Sequence, residues 1–111
     1  MVLGHERCGA VEAAVSVVEK STVYPGSIGQ MIEPIIPAVL KARAQGGFKG
    51  DALLDAAVHE NVSRTVQRLR TTEPALIEPI AAGKLRMVGA CYDLDGGKVA
   101  FFVWQGSARI S

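Results

Sequence analysis

A chain of 111 residues with a formal net charge of +1 has the size of one small domain and offers no electrostatic case for nucleic acid or an acidic membrane surface. Hydrophobic residues make up 49% of it and aromatic residues only 5%, so its core must be built from Val, Ile, Leu and Ala. No run reaches the roughly 18–20 apolar residues of a membrane span, and no basic segment followed by an apolar one opens the chain, so neither a membrane helix nor a signal peptide is expected.

Val2 to Gly4 reads as the end of a strand that runs into His5-Glu6-Arg7-Cys8-Gly9. This His-x-x-Cys is the one spacing in the chain suited to a shared metal ion. An imidazole and a thiolate on a strand-to-helix turn are donor types that zinc favours in tetrahedral sites. Alone the spacing is weak, since a cysteine at such a turn is more often packing than ligand. Glu6 and Arg7, between the two donors, are expected to point outward. Val11, Ala14, Val15 and Val18 then follow at helical spacing, which predicts about three turns of amphipathic helix.

Ser21 to Gly29, with Pro25-Gly26, reads as a loop. From Ile28 the apolar positions Met31, Ile32, Ile35, Ile36, Val39 and Leu40 fit a helix that Pro34 and Pro37 must split. The prediction is a short helix before Pro34 and a longer one to about Ala44, closed by Gly46-Gly47. The longest element is expected over Asp51 to Arg70, with Asp51 as N-cap and a stripe of Leu54, Ala57, Val58, Asn61, Val62, Thr65, Val66 and Leu69. Asn61 and Thr65 within that stripe are read as hydrogen-bonding a buried seam, and His59 on its flank as a solvated surface residue.

Pro74 suits the first turn of a short helix ended by Gly83, with Pro79 an interruption. Lys84 to Leu94 and Lys98 to Gln105, joined at Asp95-Gly96-Gly97, read as a β-hairpin. Val99 to Trp104 is apolar on both faces, and a second subunit is the expected cover, which predicts a homo-oligomer. The first two strands are expected to pair in parallel through a helical crossover, with the last as an antiparallel edge strand. The two cysteines fall in different motifs. That argues against a disulfide framework and for a reducing, cytoplasmic compartment.

Several motifs fall in one order: Gly4-His5-x-x-Cys8-Gly9-Ala10-Val11, Pro25-Gly26-x-Ile28-Gly29, Asn61-Val62-x-x-Thr65-Val66-x-x-Leu69, Ala82-Gly83-Lys84-Leu85, and Val88-Gly89-Ala90-x-Tyr92-Asp93-Leu94. Together they resemble the C-terminal half of a β-class carbonic anhydrase, over nearly the whole chain. The resemblance implies a single domain over residues 1–111 with a truncated form of that three-layer α/β fold: a short parallel strand pair with a helical crossover and an antiparallel C-terminal hairpin. It also implies a zinc (Zn2+) lyase acting on CO2 and bicarbonate, with His5 and Cys8 as metal ligands. In that family an earlier strand supplies a Cys-x-Asp-x-Arg motif, carrying a further thiolate and an Asp–Arg pair beside the metal.

No Cys-x-Asp-x-Arg occurs within these 111 residues. Cys91-Tyr92-Asp93 matches its start, but Asp95 stands where Arg is required, so Cys91 is read as a small core residue. No catalytic residue is assigned, and the isolated chain is expected to be weak or inactive. If the beginning of the fold is absent, the strand ending at His5 becomes an open edge. Two copies paired there would pool His5 and Cys8 into a closed His2Cys2 shell. The alternatives are a non-catalytic oligomerising or partner-binding module derived from the fold, or a truncated fragment.

Overall fold

The computed structural model describes residues 1–105 and 108–110. The chain divides into two compact units, one of Met1–His5 with Val62–Ser111 and the other of Glu6–Asn61. The fold is mixed α/β.

The first unit holds a four-stranded sheet in the order β1-β2-β3-β4. Strand β1 (Val2–His5) runs parallel to β2 (Val88–Tyr92), with Val2 opposite Gly89 and His5 opposite Tyr92. Strand β3 (Val99–Gln105) returns antiparallel to β2, placing Phe101 opposite Ala90 and Val99 opposite Tyr92. The parallel pair and the hairpin thus form as the patterning predicts. Two expectations are corrected. The second strand begins at Val88 rather than Lys84, and the hairpin is not the sheet's margin, because β4 (Ala108–Ile110) pairs beyond β3. Strand β1 occupies the opposite edge.

The turn joining β2 to β3 is built by its own polar groups. The Asp93 N–H donates to the Lys98 carbonyl and the Gly97 N–H to the Asp93 carbonyl, both at 2.8 Å, while the Asp95 N–H donates to Asp93 Oδ1 at 3.0 Å. Gly97 has φ +68°, a left-handed conformation that a Cβ disfavours. Met87, Ala90 and Cys91 are buried on or beside β2, and Val62 and Val66, in the helical part of the same unit, are buried too. The expectation for Val99 to Trp104 is tested only at its start: Val99 and Phe101 are exposed, and the side chains beyond Phe101 lie outside the described residues.

The second unit is helical. Helix α1 (Gly9–Lys20) spans the predicted turns and buries Val11 and Ala14. Helix α2 (Gly26–Ile32) begins directly after Pro25, so the predicted loop ends four residues earlier than Gly29. Gly29 lies inside that helix, at a position where a Cβ would collide with the Tyr24 carbonyl. A 3-10 turn (Glu33–Ile35) and helix α3 (Ile36–Gly46) follow, with Pro34 and Pro37 each in a first turn. There a proline's missing N–H costs nothing. Gly47, at φ +62°, closes α3.

Helix α4 (Gly50–Thr72) is the longest element and runs through both units. Asp51 lies inside its first turn rather than at the N-cap, where a carboxylate still meets the positive end of the helix dipole. Leu53 is fully buried beside Leu54, Ala57 and Val58, which widens the predicted stripe by one row. Asn61 and Thr65 are half-buried. Lys41 and Glu60 pair at 3.0 Å. Helix α5 (Pro74–Ala81) carries Pro79 within it, and Gly83 at φ +74° ends the segment. Among the described residues no helix is long and apolar enough to cross a membrane.

Candidate metal centre

His5 is the last residue of β1, and its side chain is exposed. Pairing with β2 fixes its backbone, and because the strands are parallel His5 and Tyr92 end together. This carboxyl end of parallel strands is where open α/β sheets carry their ligands. A hollow of about 320 Å³ lies there, lined by Leu3, Gly4, His5, Tyr92 and Leu94.

Cys8 is the N-cap residue of α1, with extended backbone angles (φ −64°, ψ 122°) and no side-chain capping bond. Its carbonyl accepts the first helical hydrogen bond, from the Glu12 N–H at 2.8 Å. The side chain is half-buried and the thiol is free. Gly9 opens the helix with nothing within 4 Å of the place a Cβ would take.

Between the two donors, Arg7 adopts φ +52°, the left-handed region that side chains other than those of Gly, Asn and Asp seldom enter. Its guanidinium lies 3.7 Å from the Glu6 carboxylate, with the Arg7 side chain 59% exposed and that of Glu6 27% exposed. The outward direction expected of both residues holds for Arg7 and less so for Glu6.

The other ligand-type residues are engaged elsewhere. Cys91 is buried within β2, opposite Gly4 and Ala100. Asp93 lies beyond the end of β2 and serves the hairpin turn, so Cys91 and Asp93 do not form a strand-borne ligand pair. His59 is half-buried rather than solvated, and its Nδ1–H donates to the Asp55 carbonyl one turn earlier at 2.8 Å.

Imidazole and thiol suit zinc in kind. In number they fall short of a tetrahedral shell. Among the described residues neither His5 nor Cys8 belongs to a set of three or more His, Cys, Asp or Glu whose donor atoms lie within 4.8 Å of one another. One feature of the centre escapes a reading of the sequence and another can be recovered from it. Arginine gives no signal of left-handed backbone, whereas the place of Tyr92 beside His5 follows from the parallel register once both strands are known.

The family model for carbonic anhydrase matches residues 1–99. Carbonic anhydrase 2 of Mycobacterium tuberculosis is 38% identical over 98 residues, which are 88% of this chain and 45% of that protein. Carbonic anhydrase of Mycolicibacterium smegmatis is 32% identical over 99 residues, 89% of this chain and 46% of that one. Among solved structures, that of the β-carbonic anhydrase CcaA superposes with a TM-score of 0.69 at 22% identity, covering 94% of this chain and 50% of that chain. The curated relatives are thus matched over about half their length, and on the family model, the two mycobacterial sequences and the shared fold together, the chain belongs to the β-class carbonic anhydrase family.

Proposed function

We propose that His5 and Cys8 are two protein ligands of a zinc ion, and that the reaction this turn serves is the reversible hydration of CO2 to bicarbonate. The observation that carries the reading is the placing of both donors at the ends of regular elements, His5 closing β1 and Cys8 capping α1. Zinc, when bound, lowers the pKa of a water molecule to near 7 and so supplies a nucleophile at neutral pH.

The chain's own residues supply position and surroundings. Strand pairing holds the His5 backbone, and the hydrogen bond from Glu12 to the Cys8 carbonyl ties Cys8 to α1. Leu3 and Leu94 give the hollow beside His5 apolar walls, suited to a small uncharged molecule such as CO2. With no Cys-x-Asp-x-Arg among its 111 residues, the chain by itself holds the metal through too few donors and hydrates CO2 weakly.

The same reading makes the chain a homo-oligomer. Strand β1 is a sheet edge, and Leu3 on β1 and Phe101 on β3 are each 53% exposed. Copies paired along that edge would pool two His5 and Cys8 pairs into a His2Cys2 shell closed to water, which is the non-catalytic variant of the reading. That Cys8 and Cys91 form no disulfide accords with a cytoplasmic, reducing setting.

Stopped-flow CO2 hydration by the zinc-saturated chain tests the activity. Rates at or near those of buffer with free zinc are expected. Rates clearly above both controls, abolished by Cys8→Ser, would overturn the weak-activity part and leave the ligand assignment standing.

A further inference from the structure

We propose that a hollow at the C-terminal end of α1 binds a small organic amine, an apolar body carrying a protonated amino group, at a site that uses neither His5 nor Cys8. Its volume is about 430 Å³, and Val17, Thr22, Gln30, Ile32, Glu33 and Ile36 are among the residues that line it. That size falls within the roughly 300–1,000 Å³ of small-molecule sites. Every lining residue belongs to the helical unit Glu6–Asn61. Within that unit α1 packs against α2, the 3-10 turn and α3, so the elements that bound the hollow hold one another.

The chain makes this hollow by ending α1 sharply. Ser21, at φ +55°, is the left-handed C-cap, and its N–H and that of Thr22 both donate to the Ser16 carbonyl, a closure that turns the backbone aside at once. Residues 22–25 then run without regular structure to Pro25, the extended N-cap of α2. The Tyr24 carbonyl seats against α2 at Gly29, where a Cβ would collide with it, and Val23 beside it stays 83% exposed. The lining decides the class of ligand. Ile32, 4% exposed, gives apolar walls together with Val17 and Ile36, which suit a hydrocarbon or aromatic body. Glu33 is the one charged residue of the lining, and no Lys, Arg or His belongs to it. Val17 stands in the last turn of α1 and Thr22 just beyond its C-cap, so the helix end adds partial negative charge. A carboxylate and a helix C-terminus over apolar walls favour a cation and disfavour an anion. Thr22 and Gln30 carry side-chain oxygens that can accept from an ammonium group.

Three probes of similar size separate charge from apolar fit: phenethylamine, phenethyl alcohol and hydrocinnamate. Each is titrated into the full, isotope-labelled chain at neutral pH and followed by amide chemical shifts. The amine is expected to bind about three- to fivefold more tightly than the alcohol, the worth of an exposed ion pair, and the carboxylate more weakly than either. The largest shifts are expected within residues 17–36. Glu33 is exposed, so Glu33→Gln and Glu33→Asp should both keep the parent's thermal midpoint. Glu33→Gln is expected to bring amine and alcohol within about twofold of each other, and Glu33→Asp to keep the parent's order. Amine and alcohol bound equally by the parent, or a preference for the amine that survives Glu33→Gln, would overturn the charge recognition and with it the proposal. Shifts centred outside residues 17–36, or no shifts with any probe up to its solubility, would overturn the site itself.

Discussion

His5 and Tyr92 are register partners across the parallel pair β1–β2 and the last residues of their strands. Partners in register point to the same face of a sheet, so the half-buried Tyr92 and the exposed His5 line one hollow together. Tyr92→Ala is expected to lower unfolding free energy by roughly 1–3 kcal/mol, from lost burial and a lost cross-strand neighbour, and to shift the His5 ring resonances. Tyr92→Phe should stay within about 0.5 kcal/mol of the parent. Urea unfolding and NMR of the two variants check both statements.

The core of the helical unit gives a contrast between two leucines. Leu53 is 0% exposed and Leu40 is 51% exposed. Leu53→Ala should cost about 2–5 kcal/mol through lost transfer energy and the cavity left behind, and Leu40→Ala under about 1 kcal/mol. Similar urea midpoints for the two would contradict the placing of Leu53 in the core.

At the hairpin, Gly97→Val forces a branched side chain onto a backbone with φ +68°. An expected loss of about 1–2 kcal/mol follows from the left-handed penalty alone. Asp93→Ala, which removes the acceptor of the Asp95 N–H, should cost about 0.5–1.5 kcal/mol. Thermal unfolding of both variants measures these terms.

Gly9 behaves in the opposite sense. Its φ is not positive and nothing lies within 4 Å of the position an added methyl group would take, so Gly9→Ala reduces the freedom of the unfolded chain without a clash. A gain of about 0.4–1 kcal/mol is expected. Destabilisation on thermal unfolding would mean that something occupies the space beside Gly9 in solution.

Much of the fold is legible in the sequence because helical spacing repeats over long stretches. The apolar rows of α1 and α4 can be read directly, and Pro34 and Pro37 mark the break between helices. Pro25-Gly26 misleads, because the pair that commonly marks a turn here leads straight into α2, and Gly29 reads as a breaker although the Tyr24 carbonyl beside it is what demands a glycine. Strand β4 has only three residues with Arg109 at its centre, too short for any alternation to register. At the candidate centre the donor types are visible as His-x-x-Cys, and the carboxyl-end setting follows from strand order. The left-handed Arg7 is not visible, since backbone sign is announced by Gly, Asn or Asp and not by arginine.

The central claim, that His5 and Cys8 hold zinc, is tested most directly by native mass spectrometry of the full chain after zinc loading and removal of free metal. The account predicts zinc on the parent and its loss from both His5→Ala and Cys8→Ser, each with unchanged far-ultraviolet circular dichroism. The same spectra report subunit number, and one zinc per dimer would mark the shared His2Cys2 form. Zinc retained in full by both variants would contradict the account.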